Sequence, residues 1–115
     1  MATQLGIELG RSLGARTVSV RGELDIHTAP RLRKALAEAF ENGDRIVVVD
    51  FADVTFMDSS GIAVLVGASK RARAASAELR VCRMTAAVRR PLETMHLESV
   101  IPVYDDLDEA CEAVS

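Results

Sequence analysis

Two short clusters of oxygen-bearing side chains are the places where this sequence could do chemistry. The first is Asp58-Ser59-Ser60-Gly61, preceded by Phe56-Met57 and followed by Ile62-Ala63-Val64-Leu65-Val66-Gly67. The second is Asp25-Ile26-His27-Thr28. Each lies between a strand-like run and a segment with helical spacing, so each is expected to open a helix. Side-chain oxygens there accept hydrogen bonds from first-turn N–H groups that have no partner within the helix. The same end of a helix carries partial positive charge and suits a phosphate. A serine at such a place can cap the helix, act as a nucleophile or accept a phosphoryl group. Read structurally, Asp25, Thr28 and Asp58 are caps and His27 is a solvated loop residue.

In open α/β sheets, functional groups gather beyond the carboxyl ends of the parallel strands. Both clusters are therefore expected on one edge, and three chemistries compete for them. A hydrolase would use Ser59 as nucleophile, His27 as base and Asp25 as orienting acid. Against it, Met57-Asp58-Ser59-Ser60-Gly61 lacks the Gly-x-Ser-x-Gly elbow. Asp25 and His27 are also only two residues apart, and no lid or insertion offers a pocket. A nucleotide or small-ligand module would be helped by a Gly-x-x-x-x-Gly-Lys loop, which the chain lacks. The third possibility is a binding module switched by modification of a serine.

The elements that must position these residues follow from periodicity. Leu5, Ile7 and Leu9 alternate as in a strand with one buried face, and Val18 and Val20 alternate again after a polar turn over Gly10 to Arg16. The two read as an antiparallel pair. Thr28 is placed to cap a helix with Pro30 in its tolerant first turn and Leu32, Leu36 and Phe40 on one stripe, flanked by Ala35 and Ala39. Asn42-Gly43 ends it. Ile46-Val47-Val48-Val49 shows no alternation, which predicts a strand covered on both faces, with a connection from Asp53 to Asp58.

In the helix of the central motif, Ile62, Leu65, Val66 and Ser69 can face a sheet while Val64 and Ala68 lie to another side, so a neighbouring helix or a partner must cover the excess. Ala63 and Gly67, four apart, would admit a close backbone. Leu79 to Cys82 is the next strand. Thr85 is placed to cap a helix with Val88, Leu92 and Met95 inward, which Pro91 should kink or delay. Val100-Ile101-Pro102-Val103 reads as an edge strand, since proline cannot donate to a ladder. Asp105, Asp106 and Asp108 open a last helix with Leu107, Cys111 and Val114 as its stripe. Strands alternating with helices predict an α/β fold with a mostly parallel sheet and right-handed crossovers.

Composition narrows the function classes. The 115 residues are 49% apolar and 27% charged, the profile of one globular domain spanning 1–115. With 14 basic and 17 acidic residues the formal charge is −3, which argues against direct nucleic-acid binding. The basic run Lys70-Arg71-Arg73 falls late in a predicted helix, where cations suit the dipole. The apolar run from Ile62 to Ala68 is far short of the ~20 residues that span a bilayer. No charged head and apolar block open the chain as in a signal peptide. Cys82 and Cys111 have no metal or redox spacing and read as small buried hydrophobes in a reducing cytosol. No metal site, cofactor or membrane partner is expected.

Phe56-Met57-Asp58-Ser59-Ser60-Gly61-Ile62 resembles the phosphorylation motif of STAS domains, in particular the stand-alone bacterial anti-sigma factor antagonists. Gly22-Glu23-Leu24-Asp25-Ile26-His27-Thr28-Ala29-Pro30 is similar to that family's segment between second strand and first helix. Val81-Cys82, Ala87-Val88-Arg89-Arg90 and Leu92-Glu93 add a third match, so the resemblance runs from Leu5 to about Ala110. It implies a single STAS domain: a mixed sheet with an antiparallel N-terminal strand pair, packed with about four helices. It also implies a non-enzymatic, cytoplasmic regulator of transcription that binds an anti-sigma factor and so frees a sigma factor. Ser59 would be the residue that a GHKL-type anti-sigma kinase modifies. Asp25, Asp58, Ser60 and Gly61 would belong to the surface that kinase docks on, and a PP2C-type phosphatase would reverse the change. A sensory or transporter-associated STAS module is the variant reading, but those belong to longer chains. The chain departs from the pattern at Ala74-Ala75-Ser76-Ala77 and at His96, where glycine is common in the family, and at Pro91.

Overall fold

The computed structural model describes residues 5–112. Five strands run in the order β1 (Gly6–Ser12), β2 (Ala15–Leu24), β3 (Ile46–Met57), β4 (Glu78–Cys82) and β5 (Val103–Tyr104), adjacent in space as in sequence. β1 and β2 are antiparallel and the remaining pairs are parallel. The connections carry α1 (Ala29–Glu41), α2 (Ser59–Ala74) and α3 (Ala86–Thr94), a 3-10 turn at Leu97–Ser99 and a terminal α4 (Leu107–Glu112). This is the mixed, mostly parallel sheet expected from the alternation of periods.

The unbroken apolar run of β3 is explained by cover on both faces. Val47, Val49 and Phe51 join the main core, with Leu32, Leu36 and Phe40 of α1, Leu65 and Ala68 of α2 and Val88 and Leu92 of α3. Val48 points the other way, into a smaller cluster with Ala15, Cys82, Ala110 and Cys111. The excess apolar side of α2 is answered within the chain, because Val64 and Ala68 are buried in the core that α1 shares. Ala63 and Gly67 stay exposed, and a Cβ at Gly67 would meet nothing within 4 Å.

Several local expectations are corrected. The first hairpin turn is not a long loop: β1 and β2 pair as far as Ser12 and Ala15, leaving Leu13 and Gly14 at φ 52° and 86°. A two-residue turn with both φ positive matches the twist of its strands. Leu9 is 56% exposed although it pairs with buried Val18, because β1 is an edge strand. The region Asp53 to Met57 is not a connection but the bulged second half of β3, which carries two more residues than β2 between Ser19–Asp50 and Leu24–Met57. Neither threonine caps by its side chain: Thr28 Oγ1 donates to Glu23 O (2.7 Å) and Thr85 Oγ1 to Val54 O (2.8 Å).

α3 starts at Ala86 and continues through Pro91 to Thr94, so proline does not delay it. Met95 lies past the last helical residue and is exposed, not inward. β5 comprises Val103–Tyr104 rather than Val100–Val103; the carbonyl of Pro102 accepts from Val81 N–H, and Val100 and Ile101 close the 3-10 turn. Ser76 and His96, where glycine was expected, both hold left-handed backbone at φ 57° and 55°. Asp106 accepts from Glu109 N–H at the start of α4, and Val114 lies outside the described residues.

Burial pushes the Cys82 thiol up to about 12, with Asp50 adding to the effect, and burial raises Cys111 as well. Both thiols are thus protonated at neutral pH and enclosed, and thiolate is the reactive form. Ellman's reagent at pH 8 is expected to label the folded chain at least about a hundredfold more slowly than the denatured one. Equal rates would show that α4 does not cover this cluster.

Candidate functional site

The two polar clusters are brought to one edge by the register of β2 on β3. Leu24 pairs with Met57, and the Asp58 N–H donates to Leu24 O (3.1 Å). Asp25 and Asp58 are therefore the first residues beyond two paired strand ends.

Asp25 organises its own loop. Its Oδ1 accepts from the N–H groups of His27 (2.9 Å) and Thr28 (3.0 Å). The Asp25 N–H donates to Thr28 Oγ1 (2.9 Å), whose single proton is used at the shorter contact with Glu23 O (2.7 Å) rather than at Asp25 Oδ1 (3.2 Å). The backbone N–H of Thr28 is the main reason that the Asp25 carboxyl sits below its ordinary value, helped by the His27 N–H. This geometry leaves Ile26 projecting into solvent, 70% exposed.

Asp58 is the N-cap of α2, with Oδ1 accepting from Ser60 N–H (2.8 Å), as expected for aspartate at this position. Ser59 is the first helical residue and is exposed, and among the described residues no side-chain hydrogen bond holds its hydroxyl. Ser60 is half-buried. The two serines open onto different hollows. Ser60 lines one of about 270 Å³ towards α1, with Ile26, Pro30, Arg33 and Val64. Ser59 lines one of about 370 Å³ towards α3, with Met57, Ile62, Arg90, Pro91 and Met95.

Gly61 is buried beneath this surface, where a Cβ would stand 2.5 Å from Met57 Cγ and 3.3 Å from Leu24 Cβ. Its contribution to the site is to let the first turn of α2 settle onto the strand ends. His27 is exposed, and among the described residues its imidazole makes no hydrogen bond to Ser59 or Asp25. The Asp25 oxygen that would orient it is engaged by the backbone, so no hydrolytic triad is assembled. Sequence reasoning missed Arg90, Met95 and Ile26 as surface features of the site. Only the end of α3 at Thr94 and the turn at Asp25 reveal them. Among the described residues there is no cluster of potential metal ligands and no helix long and apolar enough to cross a membrane.

Known proteins share this fold. The STAS domain family profile matches residues 7–110, and the chain belongs to that family. Its relatives include the anti-sigma F factor antagonist of Paenibacillus polymyxa, 33% identical over 103 residues, covering 89% of this chain and 88% of the relative. Among solved structures, an anti-sigma factor antagonist from Mycobacterium paratuberculosis superposes with a TM-score of 0.85 at 28% identity, covering 93% of this chain and 91% of that one. The anti-sigma factor antagonist SpoIIAA in its unphosphorylated form gives 0.79 at 21% identity, over 96% of this chain and all of that one (100%), a likeness of fold alone.

Two outcomes test this geometry. Gly61→Ala should destabilise the chain by about 1–3 kcal/mol through overpacking against Met57, read as a lowered denaturation midpoint; an unchanged midpoint would mean that α2 does not sit so close. For Asp25 the sign follows from a depressed folded value. Its contribution is complete above the ordinary value of 3.8 and is lost as pH falls through the folded one. Asp25→Asn should therefore lower the melting temperature at pH 7, with the gap to the parent closing below pH 3.8. A gap independent of pH would contradict the charge-based account.

Proposed function

We propose that this chain is an anti-sigma factor antagonist, a cytoplasmic binding module rather than an enzyme, whose docking edge is switched by phosphorylation of Ser59. The observation that carries the reading is the exposed, unengaged Ser59 hydroxyl at the first helical residue of α2, in a chain whose relatives bear that name. In the unmodified state the docking edge offers Asp25, Asp58, Ser60 and the apolar side chain of Ile26 to an anti-sigma factor with GHKL-type serine kinase activity. Gly61 serves that edge from below by seating the helix. Binding sequesters the anti-sigma factor and leaves its sigma factor free.

Phosphate on Ser59 adds about −1.5 to −2 charges at pH 7 to an edge that already carries two carboxylates. The helix start tolerates the charge, whereas acidic groups across an interface repel it and bare desolvated charge is costly. The kinase thus ends its own sequestration, and a PP2C-type phosphatase resets the edge. Ser59 suits the acceptor role better than Ser60, whose N–H is held by Asp58 and whose side chain is half-buried.

The experiment is to incubate the chain with ATP and the GHKL-type anti-sigma kinases of its source organism, map the modified peptide and measure binding by calorimetry. Phosphate is expected on Ser59 alone, with none on Ser59→Ala. Ser59→Asp should weaken binding by at least about tenfold, ~1.4 kcal/mol. Modification confined to Ser60 or Thr55, or no binding by any such kinase, would overturn the reading.

A further inference from the structure

The hollow in front of Ser59 contains a cation for which the fold gives no use. Arg90 is exposed on α3 and, among the described residues, has no ion-pair partner, whereas the adjacent Arg89 lies 3.6 Å from Asp105. Ser59 and Ile62, three apart on α2, line one side of the hollow. Arg90 and Thr94, four apart on α3, line the other. Residues at these spacings share a helix face, so the two helices present serine and arginine to the same space. Met57, Pro91 and Met95 make the remaining wall apolar. The one acidic side chain on the lining is Asp58, and its Oδ1 is engaged by Ser60 N–H.

A guanidinium over apolar walls keeps its planar fork of donors for an anion, and pairs phosphate oxygens two at a time. We propose that Arg90 is the charge partner of the phosphoryl group on Ser59, drawing it across the hollow between α2 and α3. The proposal rests on Ser59 being the phosphoacceptor and adds how the modified state is held. Arg90 is a positioning residue: it transfers nothing, but it fixes where the new charge sits. With the phosphate seated, the apolar wall of half-buried Pro91 and exposed Met95 is covered and the Arg90 donors are occupied. A partner then loses an apolar foothold and a cation as well as meeting added negative charge. The hollow on the other side of α2 has its own arginine, Arg33, but faces Ser60. Arg33 is thus the built-in control.

The test places phosphoserine at position 59 by genetic-code expansion, so that no kinase is needed, and follows the phosphorus-31 shift through the second ionisation near about pH 6. A neighbouring cation favours the dianion and lowers that ionisation. Arg90→Gln should raise its midpoint by roughly 0.5 pH unit, Arg90→Lys should restore part of the difference, and ~1 M salt should shrink it. Amide spectra of each variant confirm that the fold is kept. Coincident titrations of the parent and Arg90→Gln would overturn the proposal. So would an equal shift in Arg33→Gln, which would mean that general surface charge is responsible. Because the phosphoserine is incorporated during translation, a kinase that modifies another residue would count against Ser59 as acceptor without altering this readout.

Discussion

The hydrogen bond from Asp58 N–H to Leu24 O, at the end of the β2–β3 ladder, is the contact on which the candidate site depends. It sets the end of one strand against the end of the other, so that the loop of Asp25 and the start of α2 emerge side by side. The register behind it is strongly determined. Val47 and Val49 are buried on one face of β3 and Val48 on the other, and a slip of one residue would exchange their surroundings. Two extra residues in the bulged half of β3 then carry Met57 forward to meet Leu24. Gly61 completes the arrangement by letting α2 begin directly above these ends.

On this frame the two carboxylates do structural work that also fixes charge. Asp25 holds the N–H groups of His27 and Thr28, and Asp58 holds that of Ser60. Neither can swing away without releasing backbone donors, so the negative charge of the edge is held at set positions. Ser59 stands next to one of them with an unengaged hydroxyl. The fold therefore separates two consequences of adding phosphate. At the helix start, negative charge is favourable by roughly 0.3–1 kcal/mol, so the domain has no reason to open. At an interface, the same charge meets carboxylates that cannot rearrange.

Much of this was legible because the relevant signals are local. The both-face burial of Ile46 to Val49, the stripe of Leu32, Leu36 and Phe40, the left-handed Gly43 and the Asp58 cap all follow from periodicity or from the preferences of single residues. The misreadings arose where tertiary pairing overrode a local pattern. Asp53 to Met57 looks like a connection because bulges interrupt alternation, yet Thr55 and Phe56 are strand residues tied to β2. Thr28 and Thr85 occupy cap positions, but their hydroxyls are claimed by carbonyls of neighbouring strands. Met95 keeps helical spacing with Val88 and Leu92, but the helix stops one residue earlier and turns it outward. Arg80 gave no sequence signal. It is 1% exposed, donates to Ala110 O (2.8 Å) and Glu78, and lies over the Tyr104 ring, so a charged side chain secures α4.

The central claim is that the switch is local and electrostatic, leaving the fold in place. Amide spectra and melting curves of the Ser59-phosphorylated and unmodified chains, recorded alongside anti-sigma factor binding, test it most directly. The account predicts lost binding, shift changes confined to the first turns of α1 and α2 and the facing end of α3, and a melting temperature unchanged or slightly raised. Shift changes reaching Val47–Val49 and Leu79–Cys82, or a large fall in melting temperature, would contradict it and point to a switch that refolds the domain.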